Sequence, residues 1–499
     1  MYWSWVALAA LCLALFARFT LPGEGYLTYF TDDFYYYQQV AQHLVWSGYS
    51  SFDGVHQTNG YHPLWLVLMT VLAAVFGGGT GFFLSVTLLI AALVVVTFHH
   101  YRRWLGQWFS RESATVGAWV GVAMFAVLAR TGMEVALAAC LLSVLYARLV
   151  ARPVHFQSAR ELWVTGGLAS LTFLARIDAV IPVLLVLALS LPAAVRASAL
   201  GRWALWLTLG AVLAGGYLLL NWWVFSEVLP ISGHAKQLKV GHGLSWAPLA
   251  RLFGPDALNI LFVWPAMLLG GWAMWSSRVR RDGGPARLVA WAAFLHPVVF
   301  FMVLSWRSDW PTWTWYLYPM PPILAIGVAA LHARLVDHWR PLVLGRAVAL
   351  CWLGAALVGM VKPNAEARAM YESAVDVARF AKTHPGVFAA GDRAGLLGYL
   401  LPDRVYQMEG LVGDHTLLAN IQASRDLKQV LAEMGADYYV HGSVEFKPDG
   451  RCLALKEPAL AGPHSPAMRS RFCESPVAEF RHGQLRTLIF KVNPTGGRG

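Results

Sequence analysis

The feature that most restricts this chain is a succession of apolar runs, each about 17 to 25 residues long, the length a helix needs to cross the hydrocarbon core of a bilayer. They fall near residues 3–19, 80–98, 114–130, 134–150, 161–176, 178–195, 203–224, 257–276, 286–304, 316–333 and 343–361, about eleven in all. A backbone in lipid has no water to satisfy its polar groups, so runs of this kind are expected to be helices. With 57% hydrophobic residues, 13% charged ones and a mean hydropathy of +0.49, a soluble globular chain is excluded. The expected fold class is a polytopic α-helical membrane protein. The opening MYWSWVALAALCLALFARF lacks a basic leader and a small-residue cleavage site, and is expected to be a retained first span.

A net charge of +11 raises the question of nucleic acid, but the arginines stand in short clusters between apolar runs, where they set orientation. No basic face or nucleic-acid module accompanies them, so no nucleic-acid partner is expected. The run 63–77, PLWLVLMTVLAAVFG, is shorter than the others and begins with proline. If it crossed, the basic HHYRRW at 99–104 would share a side with Asp32 and Asp33, so it is expected to be a juxtamembrane helix. The loops holding Arg102, Arg103 and Arg111, then Arg148, Arg152 and Arg160, then Arg196 and Arg202, then Arg278, Arg280, Arg281 and Arg287, then Arg334, Arg340 and Arg346, all then fall in the cytoplasm. The N-terminus is cytoplasmic on this scheme. The other face collects residues 28–65, the RTGME turn at 130–134, the ARID turn at 175–178, the SEVLPISGHAKQLK loop at 226–239 and SWRSDWPTWTWY at 305–316.

From about residue 362 the composition changes. Strand-like runs at VFAAG (386), RVYQM (404), ADYYV (436) and LRTLIFKV (485) alternate with helical stretches at 365–383 and 424–434, which predicts a small α/β domain. The expected division is a membrane domain over 1–361 and an extracytoplasmic domain over 362–499. Cys12, Cys140 and Cys351 sit in spans as packing residues, whereas Cys452 and Cys473 lie where a disulfide is permitted. No Cys or His pattern has zinc-site spacing.

The one long polar stretch of the first half, LTYFTDDFYYYQQVAQHLVWSGYSSFDGVHQTNGYHPLW, opens with Asp32 and Asp33. Tyr36 and its neighbours follow with hydrogen-bonding side chains suited to a sugar, and Asn59 and His62 bring the chain back to the membrane. Ionisable residues at a membrane boundary are costly to desolvate and so mark a candidate site. The alternative for the acid pair is capping of the helix that follows. Glu134 is either an acceptor-binding acid or a helix-start carboxylate, and Arg176 with Asp178 either a phosphate contact or a local ion pair. Lys236 and His234, in a loop with Pro230 and Gly233, are candidates for phosphate, although a lysine near headgroups also snorkels. The stripe Trp306, Trp310, Trp313, Trp315, Tyr316 and Tyr318 fits an interfacial belt, and Arg307 within it is a candidate for sugar or lipid-phosphate contact.

The DDFYYYQQVAQHLVWSGYSSFDG run, the TNGYHPLW return, the GME turn, the LARID turn and the FSEVLPISGHAK loop resemble, in this order, the GT-C superfamily of integral-membrane glycosyltransferases. The resemblance is to bacterial polyprenyl-phosphate-sugar-dependent enzymes, including the arabinofuranosyltransferase and dolichyl-phosphate-mannose-type mannosyltransferase branches. GDRAGLLGYLLPDRVYQMEGLVGD at 391–414 is similar to a stretch in the outer domains of such enzymes. The resemblance implies a GT-C-like architecture with juxtamembrane helices in the first outer loop, in a bacterial inner membrane. It implies transfer of a sugar from a polyprenyl-phosphate donor to a hydroxyl of a glycan, lipid or protein acceptor on the outer face. Asp32 matches the family's first-loop acid and is the expected base, with Asp33 orienting the acceptor or sharing that role. Gly60-Tyr61-His62-Pro63 and Asp32-Asp33 depart from the Gly-Tyr-Thr-Ser-Pro and Asp-Glu forms of the two branches, which leaves the sugar unassigned. No metal cofactor is expected to be required, although two carboxylates could hold a divalent ion such as Mg or Mn.

Two other classes make different demands. A lipid-linked-sugar flippase or transporter calls for charges or broken helices near the bilayer midplane, and the spans here are nearly free of charge. A non-catalytic envelope scaffold calls for no assembled site of acid and cation.

Overall fold

The computed structural model describes residues 2–21, 24–241, 243–275, 285–339, 342–361, 365–444, 446, 448–449 and 451–492. Of the expected cytoplasmic arginines, Arg278, Arg280, Arg281 and Arg340 lie outside the described residues, as does the side chain of Arg346; so does the domain junction at 362–364.

Each apolar run carries a helix. Among the described residues five of these are long and apolar enough on their own to cross a bilayer: Thr80–Leu105, Arg111–Ala129, Ile177–Arg196, Leu200–Phe225 and Ala286–Arg307. Shorter apolar helices, among them Val6–Thr20, Val135–Ala151 and Met320–Val336, pack beside them. Local chemistry sets the ends. Ser110 accepts from the Ser113 N–H ahead of Arg111–Ala129. Ser158 and Glu161 form a reciprocal capping box ahead of Ala159–Ala175. Gly48 takes a left-handed conformation, φ 67°, to close Asp32–Ser47.

The helix Pro63–Phe76 has 14 residues, about 21 Å at 1.5 Å per residue, short of the ~30 Å hydrocarbon core. Both its ends meet the Asp32–Ser47 helix. The His62 N–H donates to the Tyr37 hydroxyl at 3.2 Å, and the Gly78 carbonyl accepts from Gln38 Nε2 at 3.5 Å. The helix therefore returns to the side it left, as expected of a juxtamembrane element. Val67, Val71 and Val75, spaced four apart, are exposed along its outer stripe, a face suited to lipid.

The C-terminal domain contains two sheets. Strands β1 (Phe388–Ala390), β2 (Val405–Gln407), β3 (Tyr438–Ser443), β7 (Ala478–His482) and β8 (Leu485–Lys491) form the first, in the order β2-β1-β3-β8-β7. β1 is parallel to β2 and β3, whereas β8 is antiparallel to β3 and β7. Strands β4 (Pro448–Asp449), β5 (Cys452–Glu457) and β6 (Met468–Phe472) form the second. The four runs singled out in the sequence coincide with β1, β2, β3 and β8, and a Cys452–Cys473 disulfide joins β5 to the end of β6.

This domain docks on the face where the suggestive loops gather. Gln39 Nε2 donates to the Gly398 carbonyl at 2.6 Å. The Val240 N–H donates to the His464 carbonyl at 2.7 Å. Asp309 accepts from the His464 N–H at 2.9 Å and from the Ser465 hydroxyl. The chemistry-bearing loops of the membrane part are thereby roofed by the sheet domain.

Candidate active site

The acid pair sits in the first turn of Asp32–Ser47, where two carboxylates complement the helix dipole. Being adjacent on a helix, they point in directions about 100° apart. Asp32 faces the C-terminal domain: its Oδ2 accepts from the Gly395 N–H at 2.9 Å and its Oδ1 from the Leu396 N–H at 2.8 Å. The approach is so close that a Cβ on Gly395 would stand 2.3 Å from the Asp32 carbonyl oxygen. Gly395→Ala is therefore expected to push the domain off this helix, at a cost of roughly 1–3 kcal/mol typical of overpacking. A lowered thermal midpoint, with earlier proteolysis of the outer domain, is the measurement.

Asp33 faces inward, and its carboxylate accepts no hydrogen bond among the described residues. It lines two cavities at once. The smaller is walled by Tyr36, Tyr37, Tyr61, His62, Glu134, Arg176, Ser232, Trp315 and Tyr316. The larger, some 790 Å³, runs between Arg130, Arg251, Leu258, Leu261, Phe262, Trp310, Trp313, Ala355 and the outer domain's Asp392, Arg393 and Glu409. Lys236 also lines both. Its Nζ lies 3.3 Å from the Tyr316 hydroxyl and 5.8 Å from that ring's centre, a cation–π contact.

Burial governs the protonation of this group. It pushes Asp32 up to about 7, against the two backbone N–H groups that favour its charged form, with Asp392 adding to the rise. It pushes Asp33 up to about 6, with Asp392 and Glu134 adding to the rise and Lys236 opposing it. Burial works against the Lys236 ammonium as well, but Tyr316 and Asp33 outweigh it and hold the group above its ordinary value. Glu409 is raised well above the carboxylate range, first by burial and then by Asp392, Glu457 and Asp33.

The remaining candidates divide. Glu134, 1% exposed, pairs with Arg176 Nη1 through Oε1 and accepts from the Tyr37 hydroxyl at 3.1 Å through Oε2. Arg176 Nε donates to both oxygens of Asp178, at 2.8 and 3.0 Å, and the guanidinium lies over the Tyr316 and Tyr318 rings at 5.0 and 4.9 Å. Tyr318 donates in turn to Asp178 at 2.9 Å. Two carboxylates neutralise this arginine, so it buttresses the small cavity and has no free charge for a phosphate. His62 accepts from the Ile177 N–H at Nδ1, 3.2 Å, with Nε2 3.6 Å from Glu134. Burial, then the cations Arg176 and Lys236, pull it down to about 3, so it is neutral.

Four candidates line neither cavity: Asp178, held by Arg176 and Tyr318, and three others. Asn59 holds the loop before Ile231–Lys236: its Oδ1 accepts from the Ile231 N–H at 2.9 Å, and its Nδ2 donates to Asn221 at 3.2 Å. His234 lies 3.2 Å from Glu227. Arg307 is exposed and donates to Gln237 at 2.8 and 3.2 Å.

Sequence reasoning missed Asp392 and Glu409. Both lie in the 391–414 stretch, and that run was the available signal. Glu409 is 2% exposed, and its Oε1 is buried without a hydrogen-bond partner among the described residues. Among the described residues no three His, Cys, Asp or Glu side chains stand together as a metal-ligand set.

No family model matches the chain, and no curated protein matches it in sequence. Solved structures share its fold, two of them as follows. ArnT from Cupriavidus metallidurans, bound to undecaprenyl phosphate, is 16% identical, with a TM-score of 0.60 over 99% of this chain and 98% of that one. The Archaeoglobus fulgidus oligosaccharyltransferase, in complex with Zn and sulfate, is 13% identical, with a TM-score of 0.52 over 87% of this chain and 67% of that one. The chain shares the fold of these two proteins, a bundle of apolar helices with a sheet-containing C-terminal domain, as expected from the sequence.

Proposed function

We propose that this protein transfers a sugar from a polyprenyl-phosphate donor to an acceptor hydroxyl, on the outer face of a bacterial inner membrane with its N-terminus in the cytoplasm. One observation carries the reading: a carboxylate without a hydrogen-bond partner among the described residues, Asp33, and a buried ammonium, Lys236, occupy the junction of an aromatic and hydroxyl-lined cavity with a larger, partly apolar one. The fold shared with a protein bound to undecaprenyl phosphate and with an oligosaccharyltransferase supports the choice of substrates.

The chemistry follows from the placement. The acceptor hydroxyl is a weak nucleophile until a base takes its proton. Asp33 takes that proton as the acceptor oxygen bonds to the anomeric carbon and the bond from that carbon to the phosphate oxygen breaks. The lipid phosphate leaves with one more negative charge, and Lys236 is the cation beside it. Asp32, engaged by the Gly395 and Leu396 N–H groups, holds the outer domain over the reacting centre. Leu258, Leu261, Phe262 and Ala355 offer the lipid an apolar wall; Tyr36, Tyr61 and Trp315 offer the sugar hydroxyl and ring contacts.

The deciding test is incubation of the purified protein with a panel of polyprenyl-phosphate sugars, scored for consumption of donor. Failure of the folded protein to consume any member would overturn the reading. Lys236→Ala removes a charge-assisted contact of about 1.5–3 kcal/mol, so the KM for the donor is expected to rise roughly 10- to 100-fold. An unchanged donor KM removes Lys236 from the phosphate site. The base must be ionised, and Asp33 is pushed up to about 6. The rate is therefore expected to rise with pH through that value and, below it, to fall about tenfold per pH unit. A pH–rate profile flat from 5 to 8 would assign the proton to another group.

A further inference from the structure

A second polar cleft lies at the other end of the bundle. The Thr80–Leu105 helix begins beside the acid-pair loops, where the Thr80 and Tyr26 hydroxyls are 3.2 Å apart. Arg103 lies about 35 Å further along it at 1.5 Å per residue. There His100 and Arg103 meet Arg148 from Val135–Ala151, and Arg152, Gln157 and Glu161 from the following segment, around a hollow of about 380 Å³. Arg103 also lines a neighbouring hollow with His99 and Arg102.

The cleft's charge is unbalanced. Its one carboxylate, Glu161, is already engaged by Arg152 Nη1 at 2.6 Å and by the Ser158 N–H and hydroxyl at 2.8 and 2.9 Å. Gln157 is satisfied too, donating to the Arg152 carbonyl at 2.8 Å and accepting from Thr165 at 2.7 Å. Arg103 and Arg148 have no carboxylate partner among the described residues. His100 Nδ1 is buried without a hydrogen-bond partner among them. Orientation by positive loops accounts for how many arginines lie on this face, but not for the convergence of Arg103, Arg148 and Arg152 on one concave wall, where an anion would relieve their mutual repulsion.

We propose that this cleft binds a phosphate group, with the forked guanidiniums of Arg103 and Arg148 as donors and the His100 ring in its wall. Two sources present that chemistry, an anionic phospholipid headgroup and a free phosphate ion. Phe156, next to Gln157 in the chain, and Trp163, on the helix that carries Glu161 and Thr165, are large apolar side chains 66% and 64% exposed, as expected where a protein surface meets lipid. Basic pockets between helices at such a boundary take lipid headgroups.

The test uses the full chain in nanodiscs and reads the thermal midpoint. One arm replaces phosphatidylcholine by phosphatidylglycerol; the other adds inorganic phosphate to phosphatidylcholine discs at fixed ionic strength. A rise of roughly 2–4 °C is expected in the lipid arm, and its loss in Arg103→Ala/Arg148→Ala. A rise with inorganic phosphate that the same variant abolishes assigns the site to the free ion. No rise in either arm, or a rise that survives in the double variant, overturns the proposal. Native mass spectrometry of the wild type supplies a readout independent of the variant's folding, and equal retention of phosphatidylglycerol and phosphatidylcholine counts as the same refutation. Consumption of donor by the double variant is expected to stay at the wild-type level, since the cleft is remote from Asp33.

Discussion

Asp33→Asn is expected to lower kcat by about 10²- to 10⁴-fold, the range spanned by a positioned general base. The substitution keeps shape and removes only the capacity to take a proton. Because the Asp33 carboxylate accepts no hydrogen bond among the described residues, no buried donor is orphaned, and the thermal midpoint should hold. Donor KM should also hold, since Lys236 keeps its place beside Tyr316. Asp32→Asn tests a different part. An amide presents one oxygen and one NH₂ where two backbone N–H groups point at the carboxylate, so one side meets a donor facing a donor. Its loss of activity should come with a loosened outer domain. Wild-type kcat in Asp33→Asn, beside an inactive Asp32→Asn whose domain stays docked, would return the base to Asp32.

Arg176→Met is expected to destabilise the fold by about 3–5 kcal/mol, because it leaves a buried carboxylate without its partner. Glu134 is 1% exposed, and the Tyr37 hydroxyl and a neutral His62 would be left as its neighbours. Asp178 would retain the Tyr318 hydroxyl. Thermal denaturation in detergent or nanodiscs reads the loss. Glu134→Gln in the same chain removes the stranded charge and should recover part of the stability, a coupling that a double-mutant cycle measures. Additive losses in that cycle would show that the pair is not the unit described here.

Much of the fold was legible because its signals are local. Apolar length predicted the helices, and the charge of short loops predicted which loops share a face. The weak run at 63–77 was placed by requiring HHYRRW to sort with the other basic loops, and the returning helix Pro63–Phe76 meets that requirement. Residue type also points to the acid pair, with Asp32 as the expected base, and to Lys236, but not to which acid is held by the C-terminal domain. What could not be read were pairings, which depend on partners far along the chain. Arg176 is a plausible phosphate ligand by type, and only its contact with Glu134 shows its charge to be occupied. Asn59 suits a sugar equally well, until its amide is found holding the Ile231 N–H. Glu409 was the hardest: its proximity to Asp33 is a property of how one domain docks on another, and no periodicity or spacing encodes that.

The grip of Asp32 on the backbone at Gly395 and Leu396 has a bearing on modularity. A soluble-looking sheet domain appended to a membrane bundle invites treatment as an interchangeable accessory. Here a turn of it is stitched to the residue adjoining Asp33, through main-chain atoms, at a separation only glycine tolerates. Side chains elsewhere on the roof are free to diversify, while the geometry of that turn has to travel together with the loop beneath it.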